Sequence, residues 1–171
     1  MKLDLPEAKH EKDYLEMVKE FTDMNEKIIP WAANLKEEET YQEFLTRIQR
    51  DRETGNPKHN NETAILYFLI DSNGKVVGAE HIRPILNEEL RFVGGNIWYG
   101  IKPSERNKGY ATIGLSLALE KCKELGIEKV MLTCKRENIW SSKTIKKNGW
   151  VRDSEYEYQG NIKERYRIKI K

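Results

Sequence analysis

The sequence predicts an α+β domain. It reads as a mixed, mostly antiparallel sheet of about six to seven strands flanked by about four helices, with a splayed parallel strand pair at its centre. Three observations carry this. A strand–helix–strand run over residues 96–133 has the order and length of one βαβ unit, which implies parallel pairing of the strands around Ile97 and Met131. Before it, two runs of strand formers meet at Asn73-Gly74, a tight hairpin signal. After it, two more meet around Gly160-Asn161. A length of 171 residues favours one domain, residues 1–171, with a single substantial core.

The elements follow in order. Residues 2–5 form a short first strand. Residues 10–25 read as a helix because Tyr14, Leu15, Val18 and Phe21 recur at three- and four-residue spacing. A second helix begins at Thr40. Thr40 and Glu43 form a capping-box pattern, and Tyr41, Phe44, Leu45 and Ile48 supply an apolar face. Residues 55–61 carry strong breaker signals. Strands over 64–71 and 76–83 follow, then a loop over 84–95 and a strand over 96–101. A long helix spans 109–125, with Gly126 as its C-terminal cap. Its Ala111, Leu115, Ala118, Cys122 and Leu125 form a buried stripe, while Glu120, Lys121 and Glu124 face water. Residues 129–133 are a short apolar strand. Asn138 caps a further helix that runs to Lys147 and stops at Asn148-Gly149. Strands over 151–158 and 164–170 close the chain.

Composition excludes several classes. Charged residues make up 34% and hydrophobic ones 38%, which fits a heavily solvated surface. No apolar run approaches the roughly 20 residues of a membrane span, so no membrane partner is expected. Residues 1–6 lack the apolar core of a signal peptide, and cytoplasmic residence is the expectation. The net charge of +2, from 30 basic and 28 acidic residues, lacks the clustered excess of a nucleic-acid binder. Basic residues from 163 to 171 alternate with apolar ones, as on a solvated strand face. Cys122 and Cys134 have neither a CxxC partner nor metal-ligand spacing, so no metal is expected. Cys122 falls on the apolar helix face, and Cys134 ends a strand.

The most informative stretch is Arg106-Asn107-Lys108-Gly109-Tyr110-Ala111, between a strand and the long helix. A turn that opens a helix offers unpaired N–H groups and the positive end of the helix dipole. Arg106 and Lys108 add positive charge, and Gly109 lets a ligand approach the backbone. The combination suits a phosphate or pyrophosphate. Where two parallel strands splay, a ligand crevice opens at their carboxyl ends.

These residues resemble the pyrophosphate loop of GNAT-type N-acetyltransferases, which reads Arg/Gln-x-x-Gly-x-Gly/Ala. Here it follows a strand and a Pro-containing turn, Lys102-Pro103-Ser104-Glu105, as in that family. Asn138, followed eleven residues later by Gly149 and then Trp150, resembles the family's Asn...Gly-Phe segment with Trp for Phe. The element order matches over nearly the whole chain, and residues 94–111 are similar to a bacterial branch of predicted acetyltransferases. The resemblance implies acetyl-coenzyme A as donor. It implies that the backbone of Arg106, Asn107, Lys108, Gly109, Tyr110 and Ala111 holds the pyrophosphate. It further implies that the strand carrying Tyr99, Gly100 and Ile101 pairs with the pantetheine arm, that Asn138 hydrogen-bonds the cofactor, and that Ser141 gives it room. A plain helix cap is an equally open reading of Asn138.

Amine acetylation sets three demands. The amine must lose a proton, since an ammonium of pKa about 10 leaves roughly one part in a thousand as free base at neutral pH. The thioester oxygen must be stabilised as it turns negative. The departing thiolate takes a proton or another stabilising partner. N–H groups around Tyr99 to Ile101 suit the second task, with Gly100 either freeing an amide at a bulge or easing packing. Glu80 and His81 are the candidate bases, and neighbours on a strand point to opposite faces, so at most one serves. His81 has the more suitable pKa, but alternation groups it with Val77 and Ala79, as in a core histidine. His59 and Glu62 could belong to a lid or to an ordinary polar loop. Many family members carry a Tyr seven residues after the Asn; here that position is Ile145, so Ser142, Cys134 or water must substitute.

The expected function is direct acetyl transfer from acetyl-coenzyme A to a primary amine of a small molecule or protein. The alternative is a non-catalytic acyl-coenzyme A-binding or sensing module, which Ile145 motivates. Glu37, Glu38, Glu39, Glu88 and Glu89 would suit a cationic acceptor or are a solvated charge run. A homodimer is compatible with the sequence, and no nucleic-acid partner is expected.

Overall fold

Four residues start the second helix as the sequence requires. Thr40 Oγ1 accepts from the Glu43 N–H at 3.3 Å, and the Thr40 N–H donates to Glu43 Oε2 at 2.9 Å. Two orphan donors are thereby satisfied at once. In the computed structural model, which describes residues 1–56 and 62–170, this helix is α2 (Tyr41–Glu53). The other helices are α1 (Glu11–Asp23), α3 (Tyr110–Glu124) and α4 (Ile139–Lys147). The strands are β1 (Lys2–Asp4), β2 (Ile65–Ile70), β3 (Val76–Ile82), β4 (Ile97–Ile101), β5 (Lys129–Lys135), β6 (Val151–Tyr158) and β7 (Asn161–Lys169). A π-helical turn, Leu90–Gly94, interrupts the loop before β4. None of these helices is long and apolar enough to cross a membrane.

The strands form two sheets rather than one. The first has the order β1-β2-β3-β4 and the second β5-β7-β6. Every ladder among the described residues is antiparallel, so the expected parallel ladder between β4 and β5 is not found. The reason is Asn96. Its N–H donates to Met131 O at 2.7 Å, while its side-chain Oδ1 accepts from the Met131 N–H at 2.9 Å. A side chain thus takes the place of the next backbone partner, and a single bridge, Gly95 to Leu132, accompanies it. Beyond that junction β4 and β5 share no ladder. From that junction the two sheets part toward the end of β4 and the loop to α3, with no strand pairing between them among the described residues.

Two cores flank the first sheet. Under α3 and α4 lie Leu69, Ile82, Ile97, Leu115, Ala118, Cys122, Leu132, Ile145 and Tyr166. Under α1 and α2 lie Tyr14, Met17, Phe21, Phe44, Leu66, Phe68 and Ala79. Tyr14 stacks between Phe44 and Phe68, with centroids 4.8 Å and 5.4 Å away. Such pairs add about 0.5–1.5 kcal/mol each beyond their burial. Period counting misplaced two residues: Leu15 is 43% exposed and Leu125 38%, while Met17 and Gly114 are buried instead.

A bulge decides the faces of β3. Gly78 pairs with Leu69, but Val76 pairs with Ile70, which leaves Val77 as the extra residue. Val77 joins the core under α3, whereas Val76 and Ala79 join the core under α1. The expected grouping of Val77, Ala79 and His81 therefore fails at Val77.

Candidate active site

The loop between β4 and α3 is shaped by two left-handed residues. Asn107 has φ 64° and Gly109 has φ 81°, with Gly109 as the N-cap of α3. Alternating left- and right-handed residues turn successive N–H groups toward one concave side. The N–H groups of Asn107, Lys108, Gly109, Tyr110 and Ala111 meet no acceptor among the described residues, whereas those of Thr112 and Ile113 bond to Gly109 O. Asn107, Lys108 and Gly109 are exposed, so the mouth is open. Gly109 answers a conformational need as well as a spatial one: a Cβ there would meet nothing within 4 Å, but its φ lies where side chains are strained.

The two basic residues of the loop are already engaged. Arg106 bonds to both carboxylate oxygens of Glu26, at 2.9 Å and 2.5 Å, and lies over the Phe21 ring. Glu26 is held below the usual carboxylate range by that guanidinium. Lys108 bonds to Glu105 at 2.7 Å. What the loop leaves unengaged is its main-chain N–H groups rather than its basic side chains. Glu20 ties the same turn to α1, accepting from the Ser104 N–H and hydroxyl at 3.0 Å each. Glu20 and Glu26 escaped the sequence reading because they lie some 80 residues from their partners.

Across the gap, β4 meets α4. The Tyr99 hydroxyl and Ser141 Oγ lie 2.8 Å apart. Burial pushes the Tyr99 phenol up despite this bond. Asn138 is the N-cap of α4, and its Oδ1 accepts from the Ser141 N–H at 3.0 Å. The cap uses Oδ1 and leaves the Nδ2 donors for another partner, so capping does not exclude the cofactor contact that the resemblance implies. Ser141 is thus more than a small residue that gives room. Ser142 looks elsewhere: its Oγ lies 2.8 Å from the Tyr166 hydroxyl, which donates to Glu164 at 2.5 Å. Glu164 also accepts from Arg152 at 3.0 Å and is held low by Tyr166 and Arg152, against the opposing pull of burial. With the Tyr166 proton on Glu164, the Ser142 proton points to Tyr166. Ser142 belongs to this chain on the second sheet, a connection that nothing in the sequence signals.

Glu80 and His81 divide as neighbours on a strand must. Glu80 lies in the sheet face under α3, where its Oε1 would come within 2.4 Å of a Cβ at Gly114. Its side chain is fully buried with both oxygens unbonded, and burial pushes its carboxyl well above the usual range. His81 is 8% exposed and sits across from Trp98 on β4, on the α1 side of the sheet. Gly100 also faces that side, where a Cβ would come within 2.0 Å of Ile29 O. Gly100 is therefore required for close packing, and no bulge occurs at this point of the β3–β4 ladder. His59 lies outside the described residues. Glu62 accepts from Asn87 at 3.0 Å, and Glu39 pairs with Arg47 at 2.7 Å. The latter removes Glu39 from any acceptor lining.

Both thiols are buried. Burial pushes Cys122 up to about 12 and Cys134 up to about 11. Neither is a thiolate near neutral pH. No cluster of metal-ligating side chains occurs among the described residues.

Fold and site together define a class: an α+β domain whose α3 opens on a row of unpaired N–H groups where two sheets part. A family model described as the acetyltransferase (GNAT) domain matches residues 2–151. The chain belongs to the GNAT acetyltransferase family. Solved structures agree in fold. RimL, a ribosomal L7/L12 alpha-N-protein acetyltransferase in complex with coenzyme A, matches at TM-score 0.68 and 15% identity, over 98% of this chain and 93% of that one. A SpeG spermidine N-acetyltransferase chimera from Vibrio cholerae and hSSAT matches at TM-score 0.63 and 16% identity, over 99% and 96%. No curated protein matches.

Proposed function

We propose that this chain transfers an acetyl group directly from acetyl-coenzyme A to a primary amine of a small molecule or protein. One observation carries the reading: five consecutive unpaired N–H groups at the open, left-handed entrance to α3, beside the gap between β4 and β5. They suit a diphosphate, and the Nδ2 donors of Asn138 suit an amide carbonyl further along the same ligand. RimL and SpeG, which share the fold, act on a ribosomal protein and on spermidine.

In the reaction the amine nitrogen attacks the thioester carbonyl carbon and the carbon–sulfur bond breaks. One amine proton leaves and the thiolate gains one. His81, on the α1 side of the sheet across from Trp98, takes the amine proton. Glu80 points to the opposite face, under α3, where burial pushes its carboxyl well above the usual range. The Tyr99–Ser141 pair spans β4 and α4 and supplies the hydroxyl that Ile145 lacks. Transfer is direct, since both cysteines stay protonated.

The test mixes the purified chain with acetyl-coenzyme A and a panel of amines, with free thiol as readout. Amine-dependent thiol release is expected. The fully buried Ile145 favours a second reading, an acyl-coenzyme A sensor. Tight coenzyme A binding by calorimetry without transfer to any amine would establish that one.

A further inference from the structure

The geometry points to an acceptor that carries a carboxylate close to its amine, held by the Arg83 guanidinium on the same sheet face as His81. This rests on the proposed amine acetylation and names the acceptor's chemistry.

Arg83 follows β3 directly and is fixed by its backbone. Its N–H donates to Asn96 O at 2.8 Å, and Asn96 Nδ2 donates to Arg83 O at 2.9 Å. Asn96 is also the residue that joins the two sheets. Arg83 is thereby anchored at the apex of the gap. Its guanidinium lies 5.2 Å from the centre of the Trp98 ring, and Trp98 pairs across the sheet with His81. His81 and Arg83, two residues apart on one face, are separated by about 7 Å of strand.

The guanidinium forms no ion pair among the described residues. Nη1 is buried and has no hydrogen-bond partner among the described residues. Glu62 is the carboxylate whose field reaches it, yet Glu62 accepts from Asn87 and forms no ion pair with Arg83. Burial lowers the Arg83 pKa to about 10, so the side chain keeps its charge at neutral pH. A buried donor without an acceptor is unfavourable, and a charged one more so. A carboxylate meets two guanidinium N–H groups in parallel, which is the pairing this planar fork prefers.

The surroundings extend the same character. The π-helical turn lies beside Trp98, since a Cβ on Gly94 would come 3.7 Å from Trp98 Nε1. From that turn, Phe92 O accepts from Arg165 at 2.9 Å, and the Phe92 ring packs at a tilt against Tyr156 with centroids 5.0 Å apart. Arg165 lies over the Tyr156 ring and also has a buried, unpartnered nitrogen, Nε. Arg165 is committed, its Nη1 donating to Ser154 Oγ at 3.0 Å and its Nη2 to Phe92 O, so Arg83 is the guanidinium left for a ligand. A polyamine would meet cations there, whereas a carboxylate would meet its complement.

The experiment uses matched acceptors with acetyl-coenzyme A and the full chain. One arm compares free α-amino acids with their carboxamides. A second compares peptides bearing an aspartate beside the N-terminal amine with their asparagine counterparts. Spermidine is the cationic control, and each rate is corrected for the fraction of free base. The acid is expected to exceed its amide in kcat/KM by about 100-fold in at least one arm, which also identifies the source of the carboxylate. Arg83→Gln should collapse that ratio to within about threefold, and Arg83→Lys should restore part of it. The ratio is insensitive to how much variant is folded. Equal use of acids and amides in both arms, preference for spermidine, or an Arg83→Gln variant that keeps the preference would overturn the proposal. Transfer to amides or polyamines alone defeats this inference and spares the transferase reading. No transfer to any acceptor defeats both.

Discussion

Substituting Gly109 separates the two tasks of the cofactor loop. The residue sits at φ 81° and ψ 0°, and a Cβ there meets nothing within 4 Å. Steric clash within the fold is therefore absent, and the stability cost of Gly109→Ala is the left-handed backbone penalty, about 1–2 kcal/mol. In a domain of 171 residues that lowers Tm by about 2–8 °C. Asn tolerates the left-handed region, so Gly109→Asn should cost well under half as much. Binding behaves differently. Either side chain stands among the five unpaired N–H groups. Losing one charge-assisted hydrogen bond, at about 1.5–3 kcal/mol, weakens binding by roughly 10- to 150-fold. The assay pairs calorimetric titration of coenzyme A with thermal unfolding. Gly109→Asn is expected to unfold within a few degrees of the parent yet bind at least about tenfold more weakly. A folded Gly109→Asn protein with parental affinity would show that the diphosphate lies elsewhere.

Three further outcomes follow from the same geometry. Glu26→Gln frees the Arg106 charge beside the loop; because that pair is more than a third exposed, the stability change should stay below about 1 kcal/mol. Coenzyme A affinity should rise about two- to fivefold at low salt and converge with the parent as salt is raised, and an unchanged affinity at low salt would contradict the placement of Arg106. Glu80→Gln tests the buried carboxyl. Its folded pKa lies above the ordinary 4.5, so the native state holds a proton that the unfolded state releases as pH rises. The parent's stability should fall by about 1.4 kcal/mol per pH unit from the ordinary value up to the raised one, and the glutamine variant should not share that slope. Thermal unfolding followed upward in pH from the ordinary carboxylate value reads the difference; parallel curves would mean an ionised or partnered Glu80. Thr40→Ala should lower stability by about 1 kcal/mol through loss of the capping box, read by denaturant midpoint, with coenzyme A affinity unchanged.

What the chain revealed in advance was local. Thr40 and Glu43 announce α2 because their exchange needs four neighbouring residues. Gly109 announces the entrance to α3 because one left-handed residue suffices. Lys108 and Glu105, at i,i+3 spacing, were within reach of the same logic. The remainder depended on partners far along the chain. The faces of β3 turn on Val77, whose displacement exists only through pairing with β2. The split of the sheet turns on one amide, Asn96, reaching Met131. Ser141 reads as room for the cofactor and Ser142 as a stand-in acid, yet it is Ser141 that meets Tyr99 while Ser142 turns to Tyr166. Arg83 had no sequence signal at all: a lone arginine at a strand end becomes informative once Nη1 is seen without an acceptor.

The central claim is that main-chain N–H groups at the start of α3 grip a diphosphate. Backbone amide shifts followed during titration with coenzyme A test it directly. The amides of Asn107, Lys108, Gly109, Tyr110 and Ala111 should move together to saturation, with a common dissociation constant matching calorimetry. Saturation with those five amides unmoved, and the shifts gathered on another surface, would contradict the account.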